Sequence, residues 1–347
     1  MSQNSTVNRR FVLASRPKGA PVAENFRLEE AELPTINDGQ LLLRTVYLSL
    51  DPYMRGRMSD APSYAAPVAI DEVMTGGAVS RVVESKHPDF KTGDWVVATN
   101  GWQDYAAIDG KLARKLEGAA LKHPSLALGV LGMPGFTAYM GLLDIGDPKP
   151  GETVVVAAAT GPVGSLVGQI AKLKGCKVVG IAGGEDKCRY AVEHFGFDEC
   201  IDHRGEKLEQ RLKEACPRGI DVYFENVGGK VFDAVLPLLN TKARVPLCGV
   251  VSQYNAQGLP KGEDRLMLLT NTILKKRLRI QGFIIFDDYG HRYPEFAGQM
   301  SEWFSADKIK FREHIVEGLE QAPDQLIGLL EGKNFGKLVI QVGDEAQ

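Results

Sequence analysis

The chain has 347 residues, of which 44% are hydrophobic, enough apolar content to fill the cores of two ordinary domains. Lysine and arginine number 41 against 44 acidic residues, so the net charge of -3 offers no basic field to nucleic acid or an anionic membrane. No apolar run approaches the ~20 residues of a membrane-spanning helix, and the five cysteines lack any C-x-x-C spacing. We therefore expect a cytoplasmic globular protein with reduced thiols.

Residues 1–128 show the pattern of a β-rich domain. Short apolar or alternating runs are separated by turns rich in Gly, Pro, Asn and Asp, as in all-β sandwiches and barrels. The clearest runs are Gln40–Leu50, Ala78–Glu84, Asp94–Ala98 and Tyr105–Ile108. This pattern predicts a small, partly open β-barrel.

From Ser125 onward, helical patterns alternate with strand patterns. A helix is expected from Leu126, and further helices separate the strands that follow. Strands are expected from Thr153 and at Lys177–Ala182, Glu199–Asp202, Ile220–Asn226, Ala243–Val250 and Leu278–Phe286. Six strands joined by helical crossovers predict an α/β fold with a doubly wound parallel sheet of the Rossmann type.

The first βα turn of this sheet carries a dinucleotide-binding pattern. A run of small and β-branched residues from Thr153 is typical of a strand buried on both faces, and an apolar-periodic segment that ends at Gly175 is typical of a helix. Between them, Ala159, Gly161 and Gly164 take the places of the three glycines in G-x-G-x-x-G. The start of the helix then directs N–H groups at an anion, so we predict a nucleotide site here.

The C-terminal segment Ile309–Gln347 contains a helix pattern around Asp324–Glu331 and a strand pattern at Lys337–Val342. A six-stranded sheet is already complete before it, so we expect the segment to return to the first domain. The predicted domains are therefore 1–128, completed by 309–347, and 129–308.

The residues after the second strand bear on the choice between NAD and NADP. Glu185 or Asp186 stands about 20 residues past the motif, where an acid grips the 2′-hydroxyl of NAD. Both acids also suit the first turn of the next helix, whereas Lys187 and Arg189 supply positive charge for the 2′-phosphate of NADP. The chemistry favours NADP.

A metal centre is not expected. The first 128 residues contain no cysteine and only two histidines, His87 and His123. Neither a catalytic zinc ligated by Cys and His nor a cysteine-rich structural zinc can be built from them.

Two tyrosines are candidates for the chemistry. Tyr254 follows the predicted fifth strand, at the sheet edge where ligands bind in such folds, and its hydroxyl could reach the nicotinamide or pack on a backbone carbonyl. Tyr53 follows a strand end in the first domain and could face the same cleft or belong to the core. Glu225 and Asn226 end the fourth strand and bear on the cofactor or cap the next helix.

Five segments carry a family likeness: Gly132–Tyr139, Ala157–Gly168, Glu225–Gly229, Gly282–Ile285 and Asn334–Lys337. Together they resemble the zinc-independent medium-chain dehydrogenase/reductases, in the branch of the prostaglandin and alkenal double-bond reductases. The likeness runs nearly end to end. It implies a GroES-like β-barrel catalytic domain, a Rossmann domain and NADPH as the cofactor.

The same resemblance implies roles for individual residues. Tyr254 is predicted as the catalytic residue, and Tyr53 and Met133 are predicted at the substrate cleft. The cofactor-binding residues it implies are Gly161, Pro162, Val163, Gly164, Lys187, His203, Asn226, Cys248, Gly249, Tyr254, Phe283, Ile284, Ile285 and Asn334. His203 is a departure, because relatives commonly have a tyrosine that contacts the 2′-phosphate at this position.

The expected reaction is reduction of the C=C bond of α,β-unsaturated ketones and aldehydes, curcumin-type enones and alkenals among them. Hydride would pass to the β-carbon while Tyr254 stabilises the enolate oxygen, without a metal. The partners expected are this small-molecule substrate and a second copy of the chain, with neither nucleic acid nor membrane. Two alternatives remain: an NADPH-dependent quinone reductase, and an NADPH-binding structural or regulatory protein.

Overall fold

The computed structural model describes residues 7–258 and 264–345, which form two compact units. Unit 1 contains the described residues up to Leu128, the segment Tyr254–Gln257 and the described residues from Glu313 onward. Unit 2 contains Gly129–Gln253 and the described residues from Gly258 to Arg312.

Two details differ from the expected boundaries. Residues 309–312 group with unit 2, because the amide group of Gln169 bonds to both main-chain groups of Lys310, at 2.7 and 2.9 Å. Tyr254–Gln257 group with unit 1, although the residues on either side of them belong to unit 2. The chain therefore crosses between the two units more often than its pattern of strands and helices predicts.

Unit 1 is built on a seven-stranded sheet and a separate two-stranded hairpin. Its strands are β1 (Val7–Leu13), β2 (Phe26–Glu32), β3 (Gln40–Ser49), β4 (Ala78–Ser85), β5 (Trp95–Ala98), β6 (Tyr105–Asp109), β7 (Arg114–Lys115), β14 (Glu313–Glu317) and β15 (Lys337–Gln341). Its helices are α1 (Met54–Arg57), α2 (Ala119–Lys122) and α11 (Ala322–Leu330). The hairpin β1–β2 and strand β14 were not predicted.

Strand β3 organises this sheet by pairing on both sides. It pairs with β4 along one side, and on the other side with β6 at Gln40–Arg44 and with β15 at Tyr47–Ser49. The larger sheet runs in the order β14-β15-β3-β4-β5-β7, so the C-terminal strands complete it. The core beneath includes Trp102, whose ring stacks on Phe26 with centroids 5.4 Å apart.

A buried ion pair joins the C-terminal strand to the end of β3. Lys337 is 0% exposed, and its Nζ donates to the carbonyl oxygen of Leu50 and to Oδ1 of Asp51, each at 2.8 Å. Ser49 donates to the other carboxylate oxygen of Asp51. A buried lysine is tolerated only when it is paired and hydrogen-bonded in this way.

Unit 2 is a doubly wound α/β unit, which confirms the predicted fold class. Its strands are β8 (Thr153–Ala157), β9 (Lys177–Ala182), β10 (Glu199–Asp202), β11 (Ile220–Phe224), β12 (Leu239–Leu247) and β13 (Arg279–Gly282). Its helices are α3 (Met133–Met140), α4 (Gly164–Leu173), α5 (Glu185–Phe195), α6 (Leu208–Ala215), α7 (Gly229–Val235), α8 (Leu266–Lys276), α9 (Ile285–Tyr289) and α10 (Tyr293–Ser305). All six strands are parallel and lie in the order β10-β9-β8-β11-β12-β13. The chain builds the sheet outward from β8 to β10 on one side and from β11 to β13 on the other, so the strand order reverses between β8 and β11.

Several elements differ from the expected pattern, among them β12, which starts at Leu239 and ends at Leu247 where a strand was expected at Ala243–Val250. The predicted strand Leu278–Phe286 stops at Gly282, and helix α9 follows because Asp288 accepts the N–H of Ile284 at its start, at 2.8 Å. The helix expected from Leu126 is a 3₁₀ segment, Pro124–Leu128. Helix α10 was not predicted. Within residues 7–258 and 264–345, no helix is both long and apolar enough to span a bilayer.

Candidate active site

The βα turn after β8 has the geometry of a phosphate-binding loop. Ala158 adopts the left-handed region with φ of 54°, which turns the chain sharply out of the strand. A Cβ built on Gly164 would lie 2.2 Å from the carbonyl oxygen of Ala158, so close approach of helix to strand end requires glycine here. The sequence analysis placed the tight turn at Ala159, but the left-handed residue is its neighbour.

Gly161 lies in the same turn, where its lack of a side chain leaves the backbone open to a ligand. A Cβ there would lie 3.2 Å from the carbonyl oxygen of Ala158, a tight contact but much less severe than the one at Gly164. Pro162 and Val163 follow, both half-buried, and lead into the ten-residue helix α4. At the start of α4, the N–H groups of Ser165 and Leu166 donate to the carbonyl oxygens of Gly161 and Val163, and the helix start carries positive partial charge. The loop thus fits a diphosphate that approaches the backbone at Gly161.

The turn after β9 gathers several basic side chains, which together are named the cationic pocket. Asp202, at the end of β10, accepts the N–H groups of Gly184 and Arg204, each at 2.9 Å. These two donors lower the pKa of Asp202 although burial raises it. The side chains of His203 and Arg204 lie over Gly183, where a Cβ would be 3.0 Å from His203 Nε2 and 3.2 Å from Arg204 Nε.

The cations in this pocket lie close enough to perturb one another. Burial, and then repulsion from Arg204, lowers the pKa of Lys187. Burial, and then the charges of Lys230 and Arg204, lowers the pKa of His203, whose Nδ1 is buried with no hydrogen-bond partner among the described residues. An anion in the pocket would relieve this repulsion, which fits the 2′-phosphate of NADPH.

The acids considered for NAD do not enter this pocket. Glu185 and Asp186 are exposed in the first turn of α5, and Asp186 pairs with Arg189 on the helix surface. Arg189 therefore pairs with Asp186 and is not among the basic side chains that lie over Gly183. The position of both acids fits the alternative interpretation, in which an acid is favoured in the first turn of a helix.

The ends of β11 and β12 are tied to the end of β8. Nδ2 of Asn226 donates to the carbonyl oxygen of Ala157 at 2.8 Å. The N–H groups of Cys248 and Gly249 donate to the carbonyl oxygen of Glu225 at 2.9 and 3.2 Å. Burial, with the nearby charge of Glu225, raises the pKa of the Cys248 thiol to about 12, so this thiol stays protonated at neutral pH.

The remaining predicted residues of unit 2 lie just before or at the start of helices α9 and α3. Phe283 is buried, with its ring edge-on to Phe224 at 6.4 Å, so its side chain belongs to the core. Ile284 precedes α9 and Ile285 begins it. Met133 is half-buried at the first position of α3, and its carbonyl oxygen accepts the hydroxyl of Thr137 at 2.8 Å.

Three predicted residues belong to unit 1: Tyr53, Tyr254 and Asn334. Tyr53 precedes α1, and burial, with the nearby charge of Asp51, raises the pKa of its phenol. Asn334 donates from Nδ2 to the carbonyl oxygen of Gly336 at 2.8 Å and lines a cavity of about 420 Å³ beside α11. The ion pair of Asp51 with Lys337 connects the segments that carry Tyr53 and Asn334.

The Tyr254–Gln257 segment packs on a loop that sequence reasoning missed. A Cβ on Gly19 would lie 3.1 Å from Nε2 of Gln257 and 3.8 Å from the carbonyl oxygen of Asn255. The buried guanidinium of Arg55 in α1 holds this loop by donating twice to the carbonyl oxygen of Gly19, at 2.7 and 3.2 Å. Only the position of Arg55, two residues after Tyr53, could have suggested this link.

Two family models match the chain. One, described as "N-terminal domain of oxidoreductase", matches residues 9–116, and the other, described as "Zinc-binding dehydrogenase", matches residues 162–303. The residues do not fit a zinc ion: across residues 7–258 and 264–345, no group of three or more His, Cys, Asp or Glu side chains could hold a metal.

Relatives match over almost the whole chain. It is 66% identical over 346 residues to the NADPH-dependent curcumin reductase of Escherichia coli, covering 99% of this chain and 100% of the relative. It is 42% identical to prostaglandin reductase 1 of Bos taurus, covering 93% and 95%. The crystal structure of CurA from Vibrio vulnificus in complex with NADPH superposes with a TM-score of 0.94 at 64% identity, covering 97% and 99%. The chain therefore belongs to the medium-chain dehydrogenase/reductase family, as do the curcumin and prostaglandin reductases it is similar to.

Proposed function

We propose that the protein is an NADPH-dependent reductase of the C=C bond of α,β-unsaturated ketones and aldehydes, curcumin-type enones and alkenals among them. The observation that carries the proposal is the 66% identity, over 99% of the chain, to a curcumin reductase. The phosphate loop and the cationic pocket of unit 2 support NADPH as the cofactor. When bound, NADPH would supply the hydride that reduces the β-carbon.

The residues of unit 2 would divide the cofactor between them. Gly161 to Gly164, with the start of α4, would hold the diphosphate. Lys187, His203 and Arg204 would hold the 2′-phosphate, and a guanidinium suits phosphate particularly well because of its paired donors. Cys248, Gly249 and the main chain of Phe283–Ile285 would take the nicotinamide ribose and amide. Asn226 and Asn334 are proposed as further cofactor contacts.

Tyr254 would act on the substrate's oxygen. Negative charge develops on the carbonyl oxygen as the β-carbon is reduced, and a phenolic O–H can donate a hydrogen bond to it. The α-carbon then takes a proton, from Tyr254 or from water. Tyr53 and Met133 are proposed to contact the substrate itself.

We propose a second copy of the chain as a partner. Strand β13 ends the six-stranded sheet and pairs with β12 alone within the described residues. Helix α8, which leads into β13, packs on the core only through half-buried side chains and leaves Met267 and Leu274 73% and 76% exposed. An open strand edge and exposed apolar side chains favour a symmetric dimer. Leu274→Glu should yield monomers in light scattering, whereas Leu112→Glu, at an equally exposed leucine of unit 1, should not.

We propose the cytoplasm as the compartment. All five cysteines are free thiols, which is usual where thiols are kept reduced. When the thiols are alkylated as the cells are lysed, the protein should therefore show no Cys-to-Cys bond.

The function is tested by following NADPH consumption with a panel of acceptors. We expect turnover with enones, alkenals and curcuminoids, and a saturated C–C bond in the product. Preference for quinones would overturn the proposal in favour of a quinone reductase. NADPH binding without turnover of any acceptor would indicate a binding protein instead.

A further inference from the structure

Glu225 is a fully buried carboxyl group at the centre of the cofactor-binding loops. It directly follows β11 and is 0% exposed. Its Oε1 accepts two N–H groups of the following turn, from Val227 at 2.6 Å and from Gly228 at 2.8 Å. One carboxylate oxygen therefore fixes the conformation of the turn that leads into α7.

The main chain around Glu225 holds the loop after β12. In addition to the bonds from Cys248 and Gly249 to Glu225, the N–H of Val251 donates to the carbonyl oxygen of Asn226 at 3.2 Å. The N–H of Ser252 donates to the carbonyl oxygen of Val227 at 3.0 Å. The conformation of the 248–252 loop thus depends on the turn that the Glu225 side chain holds.

The same turn reaches the first strand of the sheet through Asn226 and Ala157. The ends of β8, β11 and β12 are consequently connected at one point. The order of the sheet reverses between β8 and β11, and ligands of such sheets bind at this reversal.

We infer that Glu225 is a positioning residue for NADPH: its carboxyl group sets the turn at Val227–Gly228, and through it the loop that would contact the nicotinamide half. The inference uses one part of the proposed function, which is that the cofactor is NADPH. Glu225 itself touches neither cofactor nor substrate, since its side chain is enclosed by the protein.

The charge of this carboxyl group is poorly compensated. Burial raises the pKa of Glu225, although the N–H groups of Val227 and Gly228 lower it. The titratable groups that face it are acids, Tyr223 and Cys248, and burial raises the pKa of both, with Glu225 as a second cause. The hydroxyl of Tyr223 faces this carboxyl group, and its hydrogen bond to Glu225 lowers the pKa of Glu225 less than burial raises it.

The test compares NADPH dissociation constants, measured by calorimetry, for the parent and three variants. Glu225→Ala leaves two N–H groups without an acceptor, so we expect about a 10- to 100-fold weaker affinity for NADPH, the size of effect that a displaced positioning group has. Glu225→Gln keeps an oxygen acceptor, and its affinity should stay within about threefold of the parent's. Glu313→Ala is the matched control, because Glu313 is a carboxyl group of unit 1 whose pKa burial also raises.

A merely structural role would not reproduce this pattern. Glu313→Ala should lose thermal stability but keep the affinity for NADPH, and Glu225→Ala should raise the KM for NADPH much more than the KM for the enone. Equal affinity of folded Glu225→Ala and parent would overturn the inference, as would an equal loss in Glu313→Ala. If the Ala variant does not fold, Glu225→Asp serves, since it is one methylene too short to reach both N–H groups.

The pH dependence of stability provides a second readout. A carboxyl group whose pKa is raised by folding lets the native state bind more protons, so the parent loses stability as the pH rises from the ordinary glutamate value through the raised one. Glu225→Gln has no such proton, so its melting temperature relative to the parent should rise between pH 4.5 and 7. A constant difference would show that folding does not raise this pKa, and the affinities above decide the inference itself. Failure of the parent to bind NADPH at all would instead refute the proposed function.

Discussion

Replacing Lys337 by methionine should destabilise unit 1 strongly. The Nζ of Lys337 makes two hydrogen bonds of 2.8 Å, to Leu50 and Asp51, and no part of its side chain is exposed. Methionine fills a similar volume but leaves the Asp51 carboxylate buried without a cation. Breaking a buried pair in this way typically costs about 3–5 kcal/mol of the free energy of unfolding.

The expected loss can be measured as a melting temperature. Each kcal/mol lowers the transition of a 150–250-residue domain by about 2–4 °C, so Lys337→Met should melt about 6–20 °C below the parent. Differential scanning calorimetry and urea unfolding followed by circular dichroism measure the effect independently. Lys310→Met is the matched control, because Lys310 is exposed and its pair with Asp307 is a surface contact of 3.4 Å; it should melt with the parent.

A second substitution separates the lost charge from lost packing. Asp51→Asn in the Lys337→Met background removes the uncompensated carboxylate, so the double variant should recover part of the stability. A single variant within about 1 kcal/mol of the parent would refute the reasoning, because that is an ordinary effect of substitution. A double variant less stable than Lys337→Met would refute it as well.

Four further outcomes follow from the site. Gly161→Ala should lose less stability than Gly164→Ala, since their Cβ atoms would meet backbone at 3.2 and 2.2 Å, yet it should bind NADPH more weakly; calorimetry of both variants checks this, and unchanged affinity of Gly161→Ala would count against the diphosphate site. Lys187→Ala should raise the KM for NADPH far more than for NADH, and equal efficiency of the parent with both cofactors would contradict the assignment. Tyr254→Phe should lower the single-turnover rate at saturating NADPH by about 10- to 1,000-fold, towards the low end if another donor remains; a parental rate would remove Tyr254 from the chemistry. Exhaustive treatment with a zinc chelator should leave activity intact, and a loss that added zinc restores would show a metal requirement.

The Rossmann unit was the more predictable half of the fold, because its signals are local. The β-branched strand from Thr153, the small residues at Gly161 and Gly164, and the stop at Gly175 lie within about two dozen residues of one another. Such a segment specifies strand, turn and helix without reference to distant residues. The strand predicted through Phe286 failed because an apolar run fits a strand and a buried helix equally well, and the cap supplied by Asp288 decides between them.

Unit 1 was less predictable, because its contacts are distant in sequence. Strand β14 has an alternation that is weak on its own and becomes a strand by pairing with β15. The grouping of Tyr254–Gln257 with unit 1 depends on Gly19 and Arg55, and no local pattern signals it. In the cationic pocket, the charge of Lys187 was readable from the sequence, but the role of Asp202 in fixing the turn needed coordinates. The roles proposed for Tyr254, Tyr53 and Asn334 stay predictions.

The pairing of β15 with β3 has a consequence for biosynthesis. Asp51 and Lys337 are 286 residues apart in sequence, so at about 5–20 residues per second the ribosome needs roughly 15–60 s to supply the lysine after the aspartate. During that interval the edge of β3 at Tyr47–Ser49 lacks its partner strand and Asp51 lacks its cation. Every strand of the β8–β13 sheet is made before β15, so the nucleotide-binding unit can finish folding while the first unit waits. A nascent chain arrested before Lys337 should therefore expose β3 to chaperones and proteases for as long as the arrest lasts.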